Sequence, residues 1–271
     1  MIPEAPTELP VPLKHPSAIG GRVAPTAGLV TPRCPPSVGS QPGRTASRLA
    51  QSSPGLATPR RGGALLFDLD GVLVNSLQAY AAAWTGWAAV YRVSLAAIAT
   101  VAHGRRPCDV IRLVRPDLDV ALATKTFETL LEGQAAGEVV AAPGAVGLTQ
   151  SLSGRAWAIA TSSQRRHVER TLQSLGIVEP PVLVCGDDTD RGKPDPQCFQ
   201  LAARRLGHDP AACTVVEDSP AGIQAAQSAG MACVALATTH RVQELSGADG
   251  VFASLIDAWD ALLDRCGPRS I

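Results

Sequence analysis

Short apolar runs alternate with stretches in which apolar residues recur every three or four positions, through most of the chain after residue 62. The runs are Ala64–Phe67, Ala156–Ala160, Val182–Cys185, Thr214–Val216 and Cys233–Leu236. Such runs predict strands with both faces buried, and the periodic stretches predict helices that pack on a parallel sheet. Helices are predicted to start at Asp195-Pro196 and Ser219-Pro220, because a capping residue precedes proline at both places. The predicted fold class is therefore α/β, with a doubly wound, Rossmann-like parallel sheet.

Residues 75–147 interrupt this alternation. They show helical patterns and no convincing strand, with helices predicted at Leu77–Tyr91, Ser94–Val101, Pro107–Val114 and Val120–Gln134. An insertion directly after the first strand is expected to lie over the carboxyl ends of the strands, where α/β sheets bind ligands. We therefore predict a catalytic core formed by residues 63–74 and 148–271, with an inserted α-helical cap domain at 75–147.

The first 62 residues differ in composition from the rest of the chain. Residues 1–61 contain twelve of the 22 prolines, together with many Ser, Thr and Gly. Such a segment buries too little apolar surface to order itself. We interpret residues 1–62 as a disordered, proline-rich tail, or as sequence upstream of the true start, and leave them out of the fold.

Composition limits the possible partners and the compartment. The 271 residues have a formal net charge of zero, so no nucleic-acid footprint is indicated. The seven cysteines form no CxxC pair, which is typical of reduced thiols in a cytoplasmic protein. No apolar stretch approaches the roughly 18 residues that a membrane span requires, so no membrane partner is expected. Nothing in the sequence requires an oligomer: a monomer is predicted, and a homodimer stays open.

The first strand is followed by two carboxylates in the sequence Asp68-Leu69-Asp70-Gly71. An ionised aspartate can attack phosphorus or hold a cation, and a second one within reach can give a proton to a leaving oxygen and later activate water. Gly71 permits the tight turn that this arrangement needs. A plain strand-to-helix turn would explain the same residues if the motif stood alone.

Three later strands also end in polar residues. Thr161 and Ser162 offer hydroxyls and backbone amides for phosphate oxygens, and Lys193 stands in a rigid Gly-Lys-Pro loop that suits a phosphoryl dianion. Glu217 and Asp218 follow a further strand and suit a hard cation. Each feature alone is explained by a helix cap, a surface lysine or an acidic helix start. Together, at successive strand ends of one sheet, they predict one site.

The four motifs together resemble the haloacid dehalogenase superfamily. They are FDLDGVLV at 67–74, ATSS at 160–163, GKPDP at 192–196 and EDSPAG at 217–222. The resemblance implies that Asp68 is the nucleophile and a Mg²⁺ ligand, and that Asp70 is the general acid/base and offers its carbonyl to the metal. It also implies that Thr161 and Lys193 bind the phosphoryl group. Glu217 and Asp218 would complete the Mg²⁺ site.

The implied reaction is phosphoryl transfer from a small phosphorylated metabolite to Asp68, followed by hydrolysis of the aspartyl-phosphate. The loop His103-Gly104-Arg105-Arg106 is similar to that of glycerol-3-phosphate and 2-deoxyglucose-6-phosphate phosphatases, which have a helical cap of this kind. By that resemblance His103 and Arg106 reach the substrate, with Arg106 the better candidate for a polar contact. A basic surface loop that joins two helices explains the same residues equally well.

Two other kinds of enzyme and a non-enzymatic protein are alternatives to the phosphatase. A sugar phosphomutase of the β-phosphoglucomutase kind shares the core and stays the alternative. A phosphonate-cleaving enzyme would need a lysine in the cap, where Lys125 is the only one and is expected to face solvent. A non-catalytic protein is disfavoured because Asp68, Asp70 and Lys193 are all present. Asn75 departs from the family, in which an acid is common after the first strand.

Overall fold

The computed structural model describes residues 63–133 and 139–266. The predicted tail at 1–62 lies outside the described residues. So do Gln134, the predicted end of the fourth cap helix, and residues 267–271 of the predicted core.

A six-stranded parallel sheet forms the centre of the described chain. In chain order the strands are Leu65–Phe67 (β1), Val74–Asn75 (β2), Val140–Ala141 (β3), Trp157–Ala160 (β4), Val182–Val184 (β5), Thr214–Glu217 (β6), Ala232–Leu236 (β7) and Gly250–Phe252 (β8). The large sheet has the order β5-β4-β1-β6-β7-β8, and all its neighbouring strands are parallel. The chain first adds strands on one side of β1 and then on the other, which confirms the doubly wound α/β fold.

Helices cover both faces of this sheet. In chain order the helices are Leu77–Tyr91 (α1), Leu95–Ala99 (α2), Pro107–Val114 (α3), Val120–Glu132 (α4), Ala145–Ser151 (α5), Arg165–Leu175 (α6), Gln197–Leu206 (α7), Pro220–Ser228 (α8) and Leu255–Arg265 (α9). Successive side chains of β1 point to opposite faces: Phe67 packs with α5, α6 and α9, and Leu66 packs with α7 and α8. None of the helices in the described parts of the chain is both long and apolar enough to span a bilayer.

The two predicted helix starts have different outcomes. Ser219 caps α8, because its Oγ accepts a hydrogen bond of 3.1 Å from the Gly222 amide, and proline takes the first helical position as predicted. The start predicted at Asp195-Pro196 is one residue too early. Pro196 is itself the capping residue of α7, while Asp195 accepts a hydrogen bond of 3.0 Å from the Gln197 amide.

Helices α1 to α4 have an apolar core of their own. Trp84 and Trp87 of α1 pack with Phe127 of α4 and with apolar residues of α2 and α3. This separate core supports the predicted helical cap. The predicted limits of the cap, 75–147, stay a prediction, and Ala145 within them packs in the core beneath the sheet.

The prediction of no strand in this interval is wrong at both of its ends. Val74 pairs with Ala141 and Asn75 pairs with Val140, so β2 and β3 form a short antiparallel ribbon. Two-residue strands are too short to show the alternation of a half-buried strand. The ribbon joins the two connections between the sheet and helices α1 to α4, which together form the helical layer.

Candidate active site

The polar residues predicted to form one site lie at the carboxyl ends of β1, β4 and β6 and in the loop after β5. At β1 the order in which the chain adds strands to the sheet reverses. α/β sheets bind ligands outside the carboxyl ends of the strands at such a switch point. Asp68 follows β1 and Asp218 follows the neighbouring β6, and both are buried. The sheet therefore places two carboxylates side by side at its switch point.

Gly71 is required by the turn that carries Asp70. Its φ is +80°, and a Cβ at this position would lie 1.9 Å from Asp218 Oδ2. Any other residue would therefore be strained and would collide with the carboxylate of Asp218.

Lys193 is buried between two carboxylates. Its Nζ lies 3.0 Å from Asp68 Oδ1 and donates a hydrogen bond of 2.7 Å to Glu217 Oε1. The contact with Asp68 is an ion pair without hydrogen-bond geometry, because Asp68 Oδ1 has no hydrogen-bond partner in the described chain. Burial alone would lower the pKa of Lys193, but Asp68 and Glu217 outweigh it and raise that pKa. The lysine is thus a fixed positive charge behind Asp68.

Glu217 holds both the lysine and the turn that follows β6. Its Oε2 accepts hydrogen bonds from the Asp218 amide at 2.8 Å, the Ser219 amide at 2.9 Å and the Ser219 hydroxyl at 2.9 Å. Burial tends to raise the pKa of Glu217, but Lys193 and these donors bring it below its usual value. Both of its oxygens are engaged, so its predicted part in metal binding has less support here than that of Asp218.

The remaining carboxylate oxygens fit a hard divalent cation. Asp68 Oδ1 and Asp218 Oδ1 are both buried and have no hydrogen-bond partner among the described residues. Ligand oxygens of Asp68, Glu217 and Asp218 lie within 4.8 Å of one another. Burial and mutual repulsion raise the pKa of both aspartates, since one ammonium group does not balance three carboxylates. A Mg²⁺ ion would supply the missing positive charge and prefers such ligands.

Asp70 is oriented by hydroxyl groups. Its Oδ1 accepts a hydrogen bond of 2.5 Å from Ser76, and its Oδ2 accepts one of 2.6 Å from Ser163. Tyr80 of α1 lies 2.6 Å from Ser163 Oγ. Because Ser163 gives its one proton to Asp70, the Tyr80 hydroxyl must donate to Ser163. The helical layer therefore completes a hydrogen-bond chain that fixes the Asp70 carboxylate.

We expect Tyr80→Phe to lower kcat roughly 2- to 10-fold, the equivalent of one hydrogen bond of about 0.5–1.5 kcal/mol, with little change in KM. The phenylalanine keeps the packing and removes only the proton donated to Ser163. Steady-state kinetics on a phosphomonoester measures both constants.

Tyr91→Phe is the matched control, because Tyr91 lies on the same helix and its hydroxyl lies 3.0 Å from Thr126 instead. Equal losses of kcat in the two variants would mean that Tyr80 acts through the helix and not through Asp70.

The loop between α2 and α3 contacts the carboxyl edge of the sheet. His103 Nε2 lies 3.0 Å from Asp218 Oδ2, and the Gly104 carbonyl accepts a hydrogen bond of 2.8 Å from Ser162 Oγ. Burial alone would lower the pKa of His103, but Asp218 raises it above its usual value. The Ser162 hydroxyl thus holds the loop. Thr161, which is buried, and Ser162 both line the cavity beside Asp68 and Asp70, and their predicted contacts with phosphate stay a prediction.

The predicted contact of Arg106 with substrate has no support in the geometry, because Arg106 does not line the cavity that contains Asp68 and Asp70. Its Nε and Nη2 donate to the carboxylate of Asp109 at 2.6 and 3.0 Å. Its remaining donors bind the carbonyls of Gly186, Thr189 and Asp190. Arg106 therefore fastens the helical layer to the loop after β5, and His103 is the predicted cap residue that lines the cavity.

Four residues of the site were not predicted from the sequence. Ser76, Tyr80 and Ser163 belong to the hydrogen-bond chain of Asp70. Thr239 donates a hydrogen bond of 2.5 Å to Asp218 Oδ2. Ser163 lies in the ATSS motif and Ser76 follows Asp70 by only six residues, so both could have been found in the sequence. Tyr80 and Thr239 depend on contacts between distant segments.

Comparisons with known proteins place the chain among hydrolases. Residues 63–230 match the family model described as haloacid dehalogenase-like hydrolase. The chain is 33% identical over 195 residues to hexitol phosphatase A of Escherichia coli, a match that covers 70% of this chain and 90% of that protein. It is 32% identical over 187 residues to glycerol-1-phosphate phosphohydrolase 2 of Saccharomyces cerevisiae, covering 65% of this chain and 75% of the yeast protein.

A solved structure agrees with these matches. The crystal structure of a hydrolase from Pseudomonas syringae has a TM-score of 0.68 and 26% sequence identity, and it covers 76% of this chain and 99% of that one. The segment that matches the family model contains Asp68, Asp70, Lys193 and Asp218.

Proposed function

Because the chain belongs to the haloacid dehalogenase-like hydrolases, we propose that it is a Mg²⁺-dependent phosphatase that forms an aspartyl-phosphate on Asp68. The family predicted from the four motifs is thereby confirmed. Both curated relatives described above are named for the hydrolysis of phosphate esters of small polyols. We propose substrates of that class, glycerol phosphate or sugar phosphates.

The observation that carries the proposal is the arrangement of Asp68, Lys193 and Asp70. Asp68 lines the cavity, while Lys193 is buried behind it and keeps a positive charge 3.0 Å from Asp68 Oδ1. Asp68 attacks phosphorus, and Lys193 and the Thr161 hydroxyl stabilise the charge on the transferred phosphoryl group. When bound, Mg²⁺ would be held by Asp68, Asp218 and the Asp70 carbonyl and would neutralise part of that charge.

In the proposed mechanism Asp70 moves the protons of both steps. In its protonated form it gives a proton to the departing alcohol oxygen, and as a carboxylate it then takes one from the water that hydrolyses the aspartyl-phosphate. The hydrogen bonds from Ser76 and Ser163 keep this carboxylate in one orientation through both steps.

Phosphate release from a substrate panel tests the proposal. The panel contains glycerol 3-phosphate, hexitol phosphates, 2-deoxyglucose 6-phosphate and β-glucose 1-phosphate, each with Mg²⁺ and with excess EDTA. Hydrolysis that requires Mg²⁺ supports the proposal. Absence of phosphate release from every monoester in the presence of Mg²⁺ would overturn it.

A phosphomutase is the second candidate, and one observation favours it. Arg105 lines the cavity, and its guanidinium forms no ion pair or hydrogen bond with any residue that the structure describes, so it is available to a second phosphate group. Conversion of β-glucose 1-phosphate to glucose 6-phosphate, dependent on added glucose 1,6-bisphosphate, would establish the mutase. Release of inorganic phosphate at the same rate with and without the bisphosphate argues for the phosphatase.

We expect Mg²⁺ to stabilise the free protein. At a concentration of 100 times Kd, a ligand adds about 2.7 kcal/mol to the free energy of unfolding, or roughly 5–10 °C in Tm for a chain of this size. Thermal unfolding followed by circular dichroism measures the shift without any substrate.

Asp218→Asn is expected to lose most of this Mg²⁺-dependent shift, because it removes a ligand charge from the buried cluster. The exposed Asp190→Asn is the control and should keep the shift. An equal shift in both variants would contradict the assignment of Asp218 as a metal ligand.

A further inference from the structure

Arg106 is bound by protein groups at every nitrogen of its side chain. The residue lies at the end of the loop between α2 and α3 and is only 7% exposed. A guanidinium has five N–H groups. Two of them bind the Asp109 carboxylate and three bind backbone carbonyls, so all five are used. A buried cation with this many fixed partners is held in one place and also holds the groups around it.

The three carbonyls belong to the segment that leads to Lys193. They are those of Gly186, Thr189 and Asp190, at 3.3, 2.5 and 2.9 Å from the guanidinium nitrogens. We call residues 186–193 the lysine loop, because this part of the loop after β5 ends at Lys193. Asp190 precedes the lysine by three positions, so Arg106 fixes the backbone of the lysine loop close to Lys193.

The contact between Arg106 and the lysine loop continues as far as Gly192. A Cβ on Gly192 would lie 2.6 Å from Arg106 Nε and 2.5 Å from Asp109 Oδ2. The φ of Gly192 is not positive, so the missing side chain serves close packing and not an unusual backbone conformation. Arg106 and Asp109 therefore pack directly on the residue that precedes Lys193.

The position of Lys193 depends on both ends of its side chain. Glu217 accepts a hydrogen bond from the ammonium group, whose nitrogen lies 3.0 Å from Asp68 Oδ1. The backbone from which the side chain starts belongs to the lysine loop, and Arg106 holds that loop. A misplacement of about 1 Å in an active site can lower a rate by roughly 100-fold. The hydrogen bonds of Arg106 are therefore close enough to Lys193 to affect the reaction.

We infer that Arg106 is a positioning residue for phosphoryl transfer, which acts on Lys193 through the lysine loop and does not contact the substrate. Arg106 does not line the cavity that contains Asp68 and Asp70, which agrees with this role. The inference rests on the proposed phosphatase activity and deepens it. It gives the helical layer a part in the chemistry that is independent of the alcohol group.

Kinetics of Arg106→Ala tests the inference on the two esters of the panel that the parent protein hydrolyses fastest, with Mg²⁺ present. We expect kcat/KM to fall roughly 10- to 100-fold, by the same factor for both esters, because Lys193 acts on the phosphoryl group that they share. All rates are measured well below the Tm of each variant, so that folded protein is compared. Losses that differ about tenfold or more between the esters would indicate a contact with the alcohol and overturn the inference.

Arg112→Ala is the matched control. Arg112 lies on α3, and its Nη1 donates a hydrogen bond of 2.8 Å to Asp109 Oδ1, so both arginines share one carboxylate. The side chain of Arg112 is 57% exposed, and within the described chain it donates no hydrogen bond to the lysine loop. We expect its kcat/KM to stay within about twofold of the parent value. Equal losses in Arg106→Ala and Arg112→Ala would overturn the inference.

Gly192→Ala tests the same contact from the side of the core. Its added methyl group meets Arg106 and Asp109, so kcat/KM should fall in the parent background. The same substitution should cost less in the Arg106→Ala background, because the arginine that it meets is gone. Losses that simply multiply in the double variant would overturn the inference. If Arg106→Ala does not fold, Arg106→Lys, which keeps the charge and lacks the planar fork, takes its place in both experiments.

The outcomes separate this inference from the proposed function. Parent-like kcat/KM in Arg106→Ala, with the parent protein active, overturns the inference and leaves the phosphatase intact. Failure of the parent protein to hydrolyse any ester overturns both.

Discussion

Replacing Asp68 with asparagine is expected to lower kcat by a factor on the order of 10⁴ or more, a loss typical of the removal of a nucleophile. Asparagine keeps the size and much of the polarity of the side chain, but its amide does not attack phosphorus. Phosphate release by the variant, measured with Mg²⁺ on the best substrate of the panel, gives the factor. Activity above about one per cent of the parent level would exclude Asp68 as the nucleophile.

The same substitution should leave the fold intact. Burial and the neighbouring Glu217 and Asp218 raise the pKa of Asp68, so its ionised form gains less from Lys193 than it loses by burial. Glu217 remains as the partner of Lys193 in the variant. The Tm without Mg²⁺ should therefore stay within a few degrees of the parent value, and Asp190→Asn controls for the change of one surface charge.

Lys193→Met is expected to lose stability as well as activity, unlike Asp68→Asn, which should lose activity alone. Removal of one partner from a buried ion pair leaves the other charge without compensation and costs about 3–5 kcal/mol. Here two carboxylates, Asp68 and Glu217, lose their common cation. Urea unfolding monitored by tryptophan fluorescence measures the free energy of unfolding.

Lys125→Met provides the comparison, because Lys125 is exposed on α4 and is the other lysine within the described chain. Its unfolding free energy is expected to stay within about 0.5 kcal/mol of the parent value, as for most surface substitutions. A stability of Lys193→Met equal to that of Lys125→Met would show that the buried charges are compensated by something other than the lysine.

The sheet was predictable where its strands are buried on both faces. β1, β4 and β7 lie under helices on either side, so their apolar runs are continuous and strong. β8 was missed because its Gly-Val-Phe sequence is three residues long and begins with a glycine. The β2–β3 ribbon was missed because its pairing joins residues more than sixty positions apart.

The candidate site was predictable as far as it depends on strand ends. A parallel sheet brings residues that follow its strands to one edge, so Asp68, Asp70 and Asp218 could be grouped from the sequence alone. Tyr80 could not, because its role depends on how α1 lies over the sheet. Arg106 shows the same limit. From the sequence, a cation in a cap loop suggests a contact with phosphate, but the fold shows that Asp109 and three backbone carbonyls bind this guanidinium instead.

The β2–β3 ribbon makes the helical segment separable in evolution. Asn75 leaves the core directly beside Val140, where the chain returns, and the two residues are paired across the ribbon. Because departure and return share one point, the length and sequence of the intervening segment place no geometric demand on the sheet. One sheet could thus be combined with many different helical segments, provided that each supplies the contact with Ser163 that Tyr80 makes here. Selection for a new alcohol group would then act on the helical segment while the strands that carry Asp68 stay the same.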